Sequence, residues 1–246
     1  VIRIILELDG PIIDIEPVYW AAYSRAVAGL GLARKERATF WRALRRGGGV
    51  GDMLAGAGPR HIQRFREAFP EALEDDECLA EAVAQPGVAD DLRALRTGRH
   101  VLSLVTLGRN AKARQARLDE HDLSIHFTRM ARLAKEPSQR LAQLKELTED
   151  HPRVLVAASC ESLVKLANEA DLVVVGISNG PCTARRLGQA GARLTFTNLA
   201  HLGGEIATGG GNLIAAGLPP PPNTFDDGNT RHGRGGSSGD RFEQRR

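Results

Sequence analysis

Cysteine is scarce in this chain: Cys78, Cys160 and Cys182 are the only three in 246 residues. They stand far apart and without metal-ligand spacing, which excludes a disulfide framework and fits a reducing, cytoplasmic setting. No two of the seven histidines stand four apart, so a zinc-binding His pair on one helix is not expected. No apolar run approaches the ~20 residues that cross a bilayer, so no membrane span is expected. The first residues enter an apolar strand directly, and no secretory signal is expected there. Like-charged blocks are also missing. Net charge is +3 and the pI is near 9.0, but basic and acidic residues are mixed along most of the chain. No basic stripe interleaved with aromatics appears, so nucleic-acid binding is not expected.

What is present is an alternation of strand-like and helix-like segments. Residues 2–14 read IRIILELDGPIID, an apolar run ending in Glu7, Asp9 and Gly10. A strand of this kind places both acids at its carboxyl end, where open α/β sheets bind ligands. Residues i and i+2 share a side, so Glu7 and Asp9 are expected to converge on one bound group. Helical spacing follows at 17–31, 37–46, 59–69 and 75–84, with a flexible Gly-rich loop expected at 47–51. No strand-like alternation interrupts 17–85, which therefore reads as a helical insertion with Tyr19, Trp20, Tyr23 and Trp41 in its core. After Pro86-Gly87 come strands at 100–106, 153–157, 172–177 and 193–196. Helices are expected at 88–98, 110–121, 138–148, 161–170 and 181–190. This order predicts a doubly wound parallel α/β sheet, with 1–16 and 86–206 as the core domain and 17–85 as a helical cap. Residues 207–246 are rich in Gly, Pro, Asn, Arg and Ser and are expected to be a mostly disordered tail.

The blocks LELDGPIIDIEP, QPGVADDLRALRTGRHVLSLVT, LAKEPSQRLAQL and VLVAASCESLVKLANEADLVVVGIS occur in a specific order. That order resembles the haloacid dehalogenase superfamily, in its helical-cap subgroup that includes phosphoglycolate phosphatase and β-phosphoglucomutase. The resemblance implies an Asp-x-Asp-Gly-Thr motif at the first strand, whose first Asp attacks phosphorus and whose second serves as general acid and base. Glu7 and Asp9 stand at those two positions, and Pro11 stands at the Thr. It further implies that Thr106 bonds the phosphate and that Lys135 neutralises it. The Mg²⁺-holding acids of the fourth motif are replaced by Ala158 and Ser162, leaving Glu7 and Asp9 as a weakened metal set. In-line attack needs reacting atoms ~3–3.5 Å apart, so the extra methylene of Glu7 is a serious displacement.

These residues set three expectations. The first is a catalytically degenerate phosphatase relative that binds a phosphorylated small molecule or a protein partner, with no cofactor. The second is an active Mg²⁺-dependent phosphatase of a small metabolite, using Glu7 and Asp9. The third is a structural or assembly protein. Cys160 beside the fourth motif is expected to be a small buried residue rather than a nucleophile.

Overall fold

A computed structural model describes residues 1–54, 56–149 and 151–221. Along the chain run β1 (Arg3–Glu7), β2 (Ile13–Asp14), α1 (Glu16–Gly29), α2 (Arg37–Arg45), α3 (Val50–Met53), α4 (Pro59–Ala72), α5 (Asp76–Leu79) and β3 (Val83–Ala84). Then follow α6 (Val88–Thr97), β4 (Val101–Thr106), α7 (Ala111–Glu120), β5 (Arg129–Arg132), α8 (Pro137–Glu146) and β6 (Val154–Ala158). The order closes with α9 (Glu161–Glu169), β7 (Val173–Ile177), α10 (Ala184–Gln189), β8 (Leu194–Phe196), α11 (Leu199–Ala207) and α12 (Gly211–Ala215).

Six strands form one sheet in the order β5-β4-β1-β6-β7-β8, all neighbours parallel. The run RIILE lies at its centre because every residue of β1 is buried on both faces, as parallel strands require. Period-two alternation sends Ile4, Leu6 and Leu8 to one layer, with Leu92 and Leu95 of α6, Leu118 of α7, and Leu199 and Leu202 of α11. Ile5 points to the opposite layer, under Leu144 of α8, Leu163 and Val164 of α9, and Leu187 of α10. Glu7 follows Ile5 in this alternation, so its side chain leaves β1 on the α9 side.

The cap forms between β2 and β3, an antiparallel pair that makes its stem. Its core is aromatic: Tyr23 stacks on Phe40 at 4.2 Å and Phe65 on Phe69 at 5.0 Å. The Tyr23 hydroxyl donates to the Met53 carbonyl and accepts from Lys35 N–H, so this buried phenol has its polar end satisfied. Trp41 is not in that cluster and lies at the cap's edge, against Tyr19.

Four expectations need correction. β3 falls inside the segment expected to lack strands; two residues are too few to show a period, and pairing with β2 defines it. Residues 50–53 form the one-turn helix α3 rather than loop. β5 was not anticipated: RMAR is a short, largely exposed edge strand fixed by its register with β4, not by its own pattern. The expected tail begins later than 207, because α12 places Leu213 in the core and Leu218 is buried behind it. Arg153 Nε also donates to the Pro219 carbonyl at 2.6 Å. The rest of that expected tail, 222–246, lies outside the described residues.

Candidate functional site

The carboxyl end of β1 opens under the cap. After Leu8 the chain turns at Gly10, whose φ of +114° suits glycine and whose place leaves no room for a side chain. A Cβ there would stand 2.6 Å from Ser159 Oγ and 3.1 Å from the Gly180 backbone. Gln85 Nε2 donates to the Gly10 carbonyl at 2.8 Å, tying the second cap strand to this turn. Glu7 and Asp9 therefore reach the same cavity, about 200 Å³, lined also by Tyr19, Glu74, Arg114 and Cys160. Their carboxylates nonetheless turn to different partners.

Glu7 reaches across to the loop after β6. Its Oε2 accepts from Ser159 N–H at 2.5 Å and from Cys160 N–H at 3.1 Å, and lies 3.1 Å from Ser159 Oγ. The single Ser159 hydroxyl proton goes to the Asp9 carbonyl, at 2.5 Å. The extra methylene is what lets a β1 side chain touch this loop. Burial raises the Glu7 carboxyl to about 7; the Cys160 thiol and the Ser159 N–H pull the other way without offsetting it, and the Asp9 charge adds to the rise. Cys160 accepts from Leu163 N–H as the cap of α9, and burial with the Glu7 charge pushes its thiol well up. That is the opposite of an activated nucleophile.

Asp9 turns to the end of β4. Thr106 Oγ1 donates to its Oδ2 at 3.1 Å and accepts from Gly108 N–H at 3.0 Å. Arg114 Nε donates to both Asp9 oxygens at 3.2–3.3 Å, while Arg114 Nη1 donates to Glu74 Oε2 at 2.7 Å. Glu74 comes from the cap, between α4 and α5, and also accepts from the N–H groups of Arg109 and Asn110. Asn110 in turn caps α7, which holds Arg114. One guanidinium thus joins the sheet mouth to the cap, with its side chain only 12% exposed. Burial works to raise the Glu74 carboxyl, but the Arg114 guanidinium and the Asn110 and Arg109 N–H groups outweigh it and hold it below its ordinary value. Burial likewise works against the Arg114 charge, and Asp9 and Glu74 together outweigh it, so Arg114 is held charged.

Of the sequence-predicted residues, Glu7, Asp9 and Thr106 meet at the mouth. Lys135 makes no hydrogen bond with them; it stands two residues past Leu133, whose N–H donates to the Thr106 carbonyl at 2.9 Å. It lies beyond edge strand β5, is exposed, and its ammonium makes no ion pair among the described residues. Ala158 is buried at the end of β6 and Ser162 is exposed in the first turn of α9. Arg114 and Glu74 were missed. The only signal was the Asn110 cap with a helix behind it, and nothing local separates Arg114 from Arg109 or Arg117.

The residues present do not fit Mg²⁺. That ion needs near-octahedral oxygen ligation with one or two carboxylates, and among the described residues no group of three His, Cys, Asp or Glu could hold a metal. Ala158 offers no side-chain oxygen. Oε2 of Glu7, which faces the β6 loop, already takes two backbone N–H donors, whose positive ends repel a cation.

Comparison with known proteins agrees with this architecture. No family model matches the chain, and no curated protein matches it. Solved structures do. A haloacid dehalogenase-like hydrolase from Streptococcus pneumoniae superposes with a TM-score of 0.66 at 13% identity, covering 84% of this chain and 98% of its own. A Thermotoga maritima protein described as a β-phosphoglucomutase gives 0.57 at 22% identity, covering 85% and 99%. A Haemophilus somnus protein described as a phosphoglycolate phosphatase gives 0.58 at 18% identity, covering 84% and 96%. At these identities the likeness is one of fold: a haloacid dehalogenase-like α/β core with a helical cap. Among the described residues no helix is long and apolar enough to cross a membrane.

Proposed function

We propose that this chain is a catalytically degenerate phosphatase-fold protein that binds a phosphorylated small molecule at the sheet mouth without turning it over efficiently. The observation that carries the reading is the Glu7 carboxyl, whose Oε2 takes the N–H groups of Ser159 and Cys160. A nucleophile must present a free oxygen within ~3–3.5 Å of phosphorus. Here Oε2 is engaged by the β6 loop, and with its carboxyl at about 7 the group is substantially protonated at neutral pH, which weakens it as a nucleophile. Binding is supported by the other half of the mouth. Thr106 and Arg114 offer a hydroxyl and a guanidinium side by side, and a phosphate can exchange for Asp9 or Glu74 on Arg114. The three free thiols support a cytoplasmic setting for this role.

The test is a phosphate-release assay on a panel of sugar and acid phosphates, with and without Mg²⁺, beside calorimetry with phosphate and tungstate at two pH values. The expected outcome is no Mg²⁺-dependent release. Anion binding should strengthen as pH falls through about 7, because protonating Glu7 removes a repulsion from the cavity. Magnesium-dependent release, with binding that strengthens as pH rises, would overturn the reading in favour of an active hydrolase.

A further inference from the structure

A group of positive charge without carboxylate partners lies away from the sheet mouth, where α2 of the cap meets the core. Residues 34–46 carry six cations, Arg34, Lys35, Arg37, Arg42, Arg45 and Arg46, against the single acid Glu36. The first three are engaged: Arg34 lies over the Trp20 ring, Lys35 donates to the Asp52 carbonyl, and Arg37 pairs with Glu16 at 3.1 Å. Arg42, Arg45 and Arg46 have no carboxylate partner among the described residues. Helical spacing sets Arg42 beside Arg45 and Arg46, and Trp41 beside Arg45. With Glu16 and Thr183 they line a cavity of about 330 Å³ between α2 and the start of α10. None of its lining residues belongs to the sheet-mouth cavity.

This cavity has a built frame. Arg186 Nη1 donates to the carbonyls of Leu44 and Arg45 at 3.1 and 3.2 Å, and Thr183 N–H donates to Arg45 at 3.4 Å. Arg186 is itself fixed by Glu161 at 2.8 Å. Arg45 Nη2 donates to the Ser178 carbonyl, while its Nε is buried with no acceptor. A helix dipole accounts for a cation or two in a last turn. It does not account for a ligand-sized cavity that gathers Arg42 and Arg46 without an ion-pair partner, Arg45 held only through a backbone carbonyl, and an indole.

We infer that this cavity is a second binding site, for a nucleotide-class ligand, with its phosphates on Arg42, Arg45 and Arg46 and its planar base against Trp41. Guanidinium forks match phosphate oxygens bidentately, and an aromatic side chain is sequence-tolerant stacking surface for a base. Glu16 disfavours an anion at one wall, but Arg37 already neutralises it. Because Thr183 comes from the core and the arginines from the cap, an occupant also bridges the two. The inference holds whether or not the sheet mouth hydrolyses phosphate.

The experiment is a titration of the full chain with ADP, pyrophosphate and adenosine, followed by calorimetry and by tryptophan fluorescence. ADP is expected to bind, to bind less tightly at high salt, and to change the fluorescence. Pyrophosphate should bind more weakly and adenosine more weakly still. The double variant R42Q/R46Q alters two exposed side chains and should keep the far-ultraviolet spectrum and melting temperature. It should weaken ADP by about tenfold or more, the loss expected when charge-assisted bonds to phosphate are removed. Trp41→Leu should lower ADP affinity while leaving pyrophosphate unchanged. ADP binding that is absent, or undiminished in R42Q/R46Q, overturns the site. Pyrophosphate binding as tightly as ADP overturns the nucleotide class, and so does a short oligonucleotide binding far more tightly than ADP.

Discussion

The two sides of the sheet mouth satisfy their acids by opposite means. On the β6 side, Glu7 is almost wholly buried and is held by the backbone of its own core domain. On the β4 side, Asp9 is partly exposed and is held by a side chain, Arg114, that also grips Glu74 of the cap. The first arrangement is fixed, since no cap movement touches it. The second is a latch, since opening the cap must break the Arg114–Glu74 pair and the Glu74 bonds to Arg109 and Asn110. The titration signs differ as well. Glu7 is raised, so the native state is disfavoured once this group ionises. Glu74 is lowered, so the native state is favoured while it stays ionised. A buried acid held by the core and a cap lock thus share one small cavity.

Arg114→Ala should give the largest effect and break the β4 side alone. It leaves two carboxylates, each 18% exposed, facing each other across the cavity. Removing one partner of a buried pair costs about 3–5 kcal/mol, and partial exposure brings this toward about 2–3 kcal/mol. Urea unfolding measures it. The wild type should lose the latch as pH falls through the lowered Glu74 value, where protonation ends the pairing, and the variant should lack that loss. A cost within about 0.5 kcal/mol, ordinary for a surface site, would mean the latch is not formed in solution.

Glu7→Gln should act with the opposite sign. The native carboxyl sits at about 7 against an unperturbed 4.5. The folded state therefore binds the proton more tightly between those values, and stability falls as pH rises from about 4.5 to about 7. The glutamine cannot ionise, so the variant should gain at pH 8 by up to about 3 kcal/mol, roughly 1.4 kcal/mol for each unit of that rise. The gain should vanish near pH 4.5. Denaturant midpoints at the two pH values decide it, and a variant less stable at pH 8 would show that the Ser159 and Cys160 N–H bonds favour the ionised carboxylate more than burial opposes it.

How much of this was legible in the chain follows from what is local. The β1 run, the helices behind β4 and β6, and the cap insertion are each specified by their own periodicity, and they stand close to where the pattern put them. Glu7, Asp9 and Thr106 were legible because strand ends converge in a parallel sheet. Arg114 and Glu74 were not, because a salt bridge between α7 and the cap depends on how two domains meet. Lys135 illustrates the same limit from the other side: it follows edge strand β5, whose place beside β4 is set by register and not by its own pattern. Leu213 and Leu218 were assigned to a tail by the Gly-rich composition around them, although two large apolar side chains suffice to dock a short helix; each is worth about 1.5–3 kcal/mol when fully buried.

Glu7→Asp tests whether the β6 side is merely one methylene from working, and its expected effect on turnover is nil. Shortening the side chain frees the oxygen from Ser159 and Cys160 and returns it toward the position the fold's chemistry would require. It does not supply an oxygen at Ala158 or Ser162, and nucleophile and metal act as a unit whose losses are grossly non-additive. The single variant should therefore release no more phosphate than the wild type, with or without Mg²⁺. It should instead lose stability, because the N–H groups of Ser159 and Cys160 lose their acceptor, at about 1–3 kcal/mol for each buried donor left unsatisfied. The triple variant E7D/A158D/S162D restores the carboxylates together and is the one in which Mg²⁺-dependent release is expected to appear. A large rate gain from Glu7→Asp alone would place the whole defect in the reach of one side chain, and the contrast between the two sides of the mouth would reduce to a single misplaced oxygen.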